Sequence, residues 1–274
     1  MNRLFVAYKP SGIGSNRFLS QLKRKYNIKK AGFTGTLDPF AKGVLIVGFG
    51  SHTKLFRFLN KTPKTYRATL WLGAKSDTLD TEMIEKVEML KELDIEKVKD
   101  VIASLKGELE YEPPIFSAKR IDGQRAYDLA RAGKKVELNK INSTIYDIKL
   151  LHYAHPFVTF EATVSEGTYI RSLGKMIANK LDVEFGSLSA LERLNEGQFI
   201  YENEKLLDIK KSLNIPKNIY IGDYENVKYG RVLALEDLEI KDDGCYWLDN
   251  GDNISIIKIE ENQVKYELGR IYIC

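Results

Sequence analysis

The spacing of hydrophobic positions changes several times along the chain, and each change marks an element. Leu4 to Tyr8 is a short apolar run closed by Lys9-Pro10-Ser11-Gly12, which predicts a buried strand ending in a turn. Phe18, Leu19, Leu22 and Tyr26 then recur at helical spacing, with Ser15 or Asn16 placed to cap the helix. Residues 31–43 follow neither period and predict a loop. Val44 to Phe49 reads as an interior strand, and Tyr66 to Leu72 alternates as a half-buried one. Asp94 is placed to cap a helix whose apolar stripe is Ile95, Val98, Ile102 and Leu105.

Pro113-Pro114 breaks the pattern, and residues 115–135 form a basic excursion with one short helix near Tyr127 to Arg131. Strands return at Ser143 to Leu151 and Phe157 to Val164. A helix follows from Ile170 to Leu181, with Leu173, Ile177 and Leu181 on one side. Beyond about residue 200 the elements shorten to strands such as Tyr246 to Leu248 and Ile254 to Ile259, separated by Asp-, Asn- and Glu-rich turns. Domains commonly hold about 100–200 residues. A large domain over 1–200 and a small β-rich module over 201–274 is therefore the expected partition.

Composition narrows the class. Hydrophobic residues at 43% and charged residues at 29% suit a globular protein with a real core. No apolar run approaches the roughly 18 residues of a membrane span. The strand pattern beginning at Leu4 leaves no room for a signal peptide, so a cytoplasmic location is expected. The two cysteines, Cys245 and Cys274, and the three histidines, His52, His152 and His155, lack metal-ligand spacing, and no metal is expected. The net charge of +4 is mild, but its distribution is uneven. Arg17, Lys23, Arg24, Lys25, Lys29 and Lys30 occur without an acid among them. Lys119, Arg120, Arg125, Arg131, Lys134 and Lys135 face only Asp122 and Asp128, while acids gather in 77–112. That asymmetry suits a polyanionic ligand. A solvated helix face accounts for the charges equally well.

Candidate chemistry concentrates in the 31–43 loop. Gly32 and Gly35 permit unusual backbone angles, Thr34 and Thr36 can stiffen the loop through local hydrogen bonds, and Pro39 sets its exit. Its single acid, Asp38, is presented without a neighbouring carboxylate, which suits a nucleophile or base better than a two-carboxylate site. Taken alone, an aspartate that simply terminates a turn explains the loop better.

Ala31 to Leu45, reading Ala-Gly-Phe-Thr-Gly-Thr-Leu-Asp-Pro-Phe-Ala-Lys-Gly-Val-Leu, resembles the signature loop of the TruB family of pseudouridine synthases. Tyr8 to Ser15 resembles that family's opening Lys-Pro motif. Lys64 to Ala68 is similar to its base-stacking strand, Gly167 to Ser172 to a pocket segment, and Leu188 to Leu194 to the last pocket segment. The likeness covers roughly residues 3–200. It implies an α+β fold, with a central antiparallel or mixed sheet flanked by helices and a small C-terminal PUA-like module. It also implies a reaction: isomerisation of uridine 55 in the T-loop of tRNA after base flipping, with no cofactor.

In that reading Asp38 is the nucleophile and Tyr66 the stacking face, with a further role near the carbon-5 proton. Arg171 orients Asp38 through two hydrogen bonds, and Tyr169 and Leu191 wall the pocket. Lys9 supports the site or contacts phosphate. Lys119, Arg120 and Arg125 resemble a thumb loop holding RNA phosphates. Phe33 stands where the family usually has histidine, keeping a stacking face while losing polar capacity. The partner is the tRNA T-arm, met by a monomer without an obligatory protein partner. Three other readings compete: a tRNA-folding chaperone, a guided synthase with another RNA target, and a nucleotide-phosphate enzyme using Gly12 to Ser15. The last lacks the Gly-Lys-Ser/Thr ending of a phosphate loop.

Overall fold

The structure is a computed structural model that describes residues 1–117, 119–121, 123–134, 136 and 138–273. Asp122, Lys135 and Cys274 lie outside the described residues, as does the side chain of Arg120. The first apolar run becomes β1 (Arg3–Lys9), and the amphipathic segment after it becomes α1 (Ser15–Lys25), which buries Phe18 and Leu22. Neither Ser15 nor Asn16 caps this helix. Gly14 is the cap residue, and the Ser15 hydroxyl is drawn away to the backbone of Leu37. The expected loop also begins with a short strand, β2 (Ala31–Phe33), because β3 (Lys42–Phe49) offers it an open edge.

A 3₁₀ segment over Gly50–Phe58 leads to β4 (Lys64–Leu72), a hairpin of β5 (Ala74–Ser76) and β6 (Ile84–Val87), and α2 (Ile95–Ala103). Asp94 caps α2 as expected, accepting from Glu96 N at 3.2 Å. Ile95 drops out of the predicted stripe and is exposed, while Val98 and Ile102 are buried. Next come β7 (Gly107–Tyr111), the small pair β8 (Arg120–Ile121) and β9 (Gln124–Arg125), and α3 (Ala126–Arg131). The long strands β10 (Ile141–Ala154) and β11 (Phe157–Val164), helix α4 (Ile170–Lys180) and β12 (Gly186–Glu196) complete the larger unit. The rest holds α5 (Ile209–Ser212), β13 (Lys217–Asn218), α6 (Tyr224–Tyr229), β14 (Gly244–Asp249), β15 (Asn253–Glu260) and β16 (Gln263–Tyr272).

The main sheet runs β1-β3-β12-β4-β11-β10-β7, with β2 also paired to β3. Its pairs are antiparallel except β12 with β3, which are parallel and meet only at Glu192↔Lys42 and Arg193↔Gly43. The sheet is therefore mixed, and α4 and α2 cover one face over a core that includes Leu70, Phe160, Leu173, Ile177 and Leu188. β1 occupies one edge of β3 along its length. The other edge is shared, with β12 at its start and β2 at its end. Residues 34–41 leave the sheet at that fork, which is what lifts Asp38 above it.

The second sheet, β13-β14-β15-β16, shares a core with the first: Leu4, Val6, Ile46, Leu55 and Phe58 pack with Trp247, Ile254, Ile256 and Leu268. Between the sheets the chain is tied to the first unit, since Leu207 N donates to Leu4 O at 2.9 Å and Leu213 bridges to Leu59. No helix among the described residues is long and apolar enough to cross a membrane.

Gly43 is where the fork closes. Its φ of +119° favours glycine, and a Cβ there would collide with the Arg193 backbone. Gly43→Ala should destabilise the protein by about 3 kcal/mol, read as a lowered urea midpoint with unchanged m-value.

Candidate active site

Asp38 is held by anchors on both flanks. The buried Leu37 donates its N–H to Ser15 Oγ at 3.0 Å, and that hydroxyl donates back to Leu37 O at 2.9 Å. On the other side Gly12 N donates to Pro39 O at 2.8 Å, and Ser11 Oγ donates to Phe40 O at 2.6 Å. Lys9 is fully buried under this loop, its ammonium donating to Ile13 O at 2.6 Å, Pro10 O at 2.9 Å and Pro39 O at 3.4 Å. Burial lowers the Lys9 pKa to about 8 against the opposing pull of Asp38. Lys9 is thus enclosed beneath the loop rather than set in the cavity lining. Of the loop's expected local bonds, that of Thr34 is instead long-range: its hydroxyl donates to Glu196 Oε2 at 3.0 Å. Gly35 takes a positive φ of +55°, whereas Gly32 lies in the regular pairing of β2.

Arg171 sits in the first turn of α4, 5% exposed. A cation at a helix N-terminus is unfavourable without anions, and two are supplied. Arg171 Nε lies 2.9 Å from Asp38 Oδ2, and Nη1 lies 3.4 Å from Asp80 Oδ2. The remaining donors go to carbonyls, Nη1 to Thr78 O at 2.8 Å and Nη2 to Phe116 O at 2.9 Å. Arg171 therefore meets Asp38 through one ion-pair contact rather than the expected two-bond fork, because its other nitrogens are already engaged. Asp80 is the residue that sequence reasoning missed, having been counted among the acids of 77–112. It is buried, and its Oδ1 accepts from the Thr78 hydroxyl at 2.6 Å and from Glu82 N at 2.9 Å.

Asp38 opens onto a cavity of about 400 Å³, within the range of small-ligand sites. Tyr66, Tyr169, Ile170, Arg171, Leu191 and Lys119 line it with Asp38. The buried Tyr66 and Leu191 come from the adjacent strands β4 and β12, Tyr66 opposite Arg193 and Leu191 opposite Ala68, and Tyr169 N donates to the Tyr111 hydroxyl at 2.9 Å. Burial is the largest influence on the Asp38 carboxyl and raises its pKa. Arg171 opposes that rise, while Asp80 and Glu82 add to it. Behind the loop Arg193 is buried, donating through Nε to Val44 O and through Nη2 to Gly35 O, both at 2.8 Å. It also pairs with the buried Glu196 at 2.8 Å. Arg193 falls inside the Leu188 to Leu194 segment, which by itself assigns it no role.

Other expected site residues lie outside the cavity lining. Phe33 packs partly buried beside the Phe5, Phe18 and Phe49 cluster. Arg125 stands at the start of α3 with its guanidinium 5.8 Å from the Tyr127 ring. The structure thus brings together Asp38, Tyr66, Tyr169, Arg171, Leu191 and Lys119, and leaves Phe33, Lys9 and Arg125 apart.

The family model described as "TruB family pseudouridylate synthase (N terminal domain)" matches residues 23–170, more than half of the chain. The chain belongs to the TruB family. Among the relatives of this TruB-family chain is a tRNA pseudouridine synthase B of Sulfurimonas denitrificans, 73% identical over 271 residues and 99% of both chains. Another, from Campylobacter jejuni strain RM1221, is 50% identical over the whole of both chains. Two solved structures share the fold. One is an H/ACA RNP bound to a substrate RNA containing 2′-deoxyuridine, with a TM-score of 0.68, 19% identity, and coverage of 99% of this chain and 85% of that one. The other is a Cbf5-Nop10-Gar1 complex, with a TM-score of 0.67, 20% identity, and coverage of 98% and 83%. The TruB-family protein is thus a pseudouridine synthase, an intramolecular transferase of the isomerase class, on the α+β fold of such enzymes.

Two outcomes follow from the geometry. Asp80→Asn removes one of the two anions that fix Arg171, and should lower pseudouridine formation about 10²-fold in single-turnover assays. The raised Asp38 pKa means the folded state holds this proton above the pH at which the unfolded chain loses it. Ionised Asp38 thus costs stability, and the cost grows as pH rises from the unfolded to the folded pKa. Asp38→Asn should therefore raise the urea midpoint at pH 8, with a gain that shrinks as pH falls through the native pKa.

Proposed function

We propose that this chain converts uridine 55 in the T-loop of tRNA to pseudouridine, with Asp38 as the nucleophile. The observation that carries this reading is the Asp38–Arg171 ion pair lining one cavity with Tyr66, Tyr169 and Leu191. The names of the 73%- and 50%-identical relatives support tRNA as the substrate. The resemblance of the five motif segments supports position 55.

The base must leave its stack to enter the cavity that Asp38 lines. Tyr66 receives it, and stacking of a base on an aromatic ring is worth about 1–3 kcal/mol. Arg171 favours the ionised, nucleophilic form of Asp38 against the desolvation that opposes it. The carboxylate bonds to the nucleotide and the glycosidic bond from carbon 1′ to N1 breaks. The uracil turns, and a bond forms from carbon 1′ to carbon 5. The adduct then releases Asp38, the carbon-5 proton is lost and N1 gains one, so no cofactor is consumed.

Lys119, Arg120 and Arg125 hold phosphates from the thumb segment, and Phe33 fills the place of an extruded base. The C-terminal module over 201–274 is a PUA-like RNA-binding domain, and the enzyme works as a monomer in the cytoplasm.

The test is tritium release from carbon-5-labelled uridine in an unmodified tRNA transcript, using purified protein alone. Release confined to position 55 is expected. Asp38→Asn should reduce it below detection while keeping the wild-type Kd for tRNA, because basic surfaces supply the affinity. Turnover retained in that variant removes Asp38 from the chemistry, and a requirement for a guide or partner protein removes the stand-alone reading.

A further inference from the structure

Lys64 lies two residues before Tyr66 on the same face of β4, about 7 Å away along the strand. Its side chain is 8% exposed and lines the same cavity. Its ammonium lies 3.5 Å from Glu166 Oε1 and 3.6 Å from Glu196 Oε2, and among the described residues it makes no hydrogen bond to either. The two carboxylates differ in kind. Glu196 is fully buried and already committed to Arg193 and to the Thr34 hydroxyl. Glu166 is 58% exposed, on the turn between β11 and α4, and swinging its carboxylate back into water costs little. Lys64 thus has one fixed counter-ion and one exchangeable one.

We propose that Lys64 receives a phosphate of the substrate strand, and that Glu166 is the resident anion which this phosphate displaces. The inference rests on the reading of an RNA substrate with its target base against Tyr66. A nucleotide held there has its backbone within one nucleotide's reach of Lys64, and a phosphate gains both an ion pair and the hydrogen bonds that Glu166 does not make. Glu196 keeps the ammonium in place when Glu166 swings out. The competing account is a structural ion pair that closes the mouth of the cavity. In that account, loss of Glu166 would not tighten RNA binding.

The experiment is a double-mutant cycle on the full chain with an unmodified tRNA transcript, measuring Kd across a salt series together with KM. Glu166→Gln should lower Kd and KM about threefold or more. Lys64→Gln should raise Kd about tenfold and reduce the slope of log K against log salt by about 0.7–0.9, the signature of one lost phosphate contact. Glu166→Gln should bring no gain in the Lys64→Gln background. A gain that persists there shows a general field effect and overturns the proposal, as does an unchanged salt slope in Lys64→Gln. Should Lys64→Gln fail to fold, Glu92→Gln serves as comparator, since it removes the same charge from an exposed position. Equal tightening by the two glutamate variants overturns the proposal, and tightening by Glu166→Gln alone supports it. A wild-type chain that forms no pseudouridine in the transcript overturns the substrate reading and this inference with it. Wild-type turnover with an unaltered Glu166→Gln overturns the inference alone.

Discussion

A buried guanidinium joins four separate stretches of this chain. Arg171 touches Asp38 in the loop after β2, Thr78 and Asp80 in the β5–β6 turn, and Phe116 in the segment after β7, while standing on α4 itself. A charge this deep is costly unless its partners are complete. The segments therefore hold one another, because moving any of them leaves a charge or a carbonyl unpaired in the interior. The arrangement also sets the electrostatics of the cavity. Burial and Asp80 press the Asp38 carboxyl toward its neutral form, and Arg171 presses it back.

The sheet supplies the frame on which that interaction is built. β3 divides one of its edges between β12 and β2, and the loop that carries Asp38 emerges at the division. Arg193, Glu196 and Thr34 close the back of the fork with ion pairs and hydrogen bonds, and Lys9 fills the space beneath. Asp38 is thus presented by a loop that is irregular in backbone yet anchored from several directions. Rigid presentation of this kind is what pre-organised catalysis requires.

The motifs point to chemistry, and the fold explains their spacing. Lys64 and Tyr66 are two apart because a strand turns every second side chain to one face. Tyr169 and Arg171 straddle a helix start, so the first walls the cavity while the second turns inward beneath it. The same structure reassigns several side chains that local reasoning placed elsewhere. Ser15 serves the loop rather than its helix, and Thr34 serves a buried carboxylate rather than its own turn.

The sequence by itself determined most of the elements, the mixed α+β class, the family and the nucleophile candidate. These depend on local periodicity, on turn residues and on short contiguous motifs, all of which are written in neighbouring positions. Only the tertiary structure decided that Asp80 shares Arg171, that Lys9 is sealed under the loop, and that Glu196 stands behind Lys64 and Arg193. Each of these joins residues far apart in the chain, and nothing local distinguishes a buried acid from the exposed acids beside it. Asp80 lies in a stretch that also holds Asp77 and Glu82, and its burial follows from how the β5–β6 turn meets α4. Burial and long-range pairing are properties of the folded surface, so they become visible only when the chain has closed on itself.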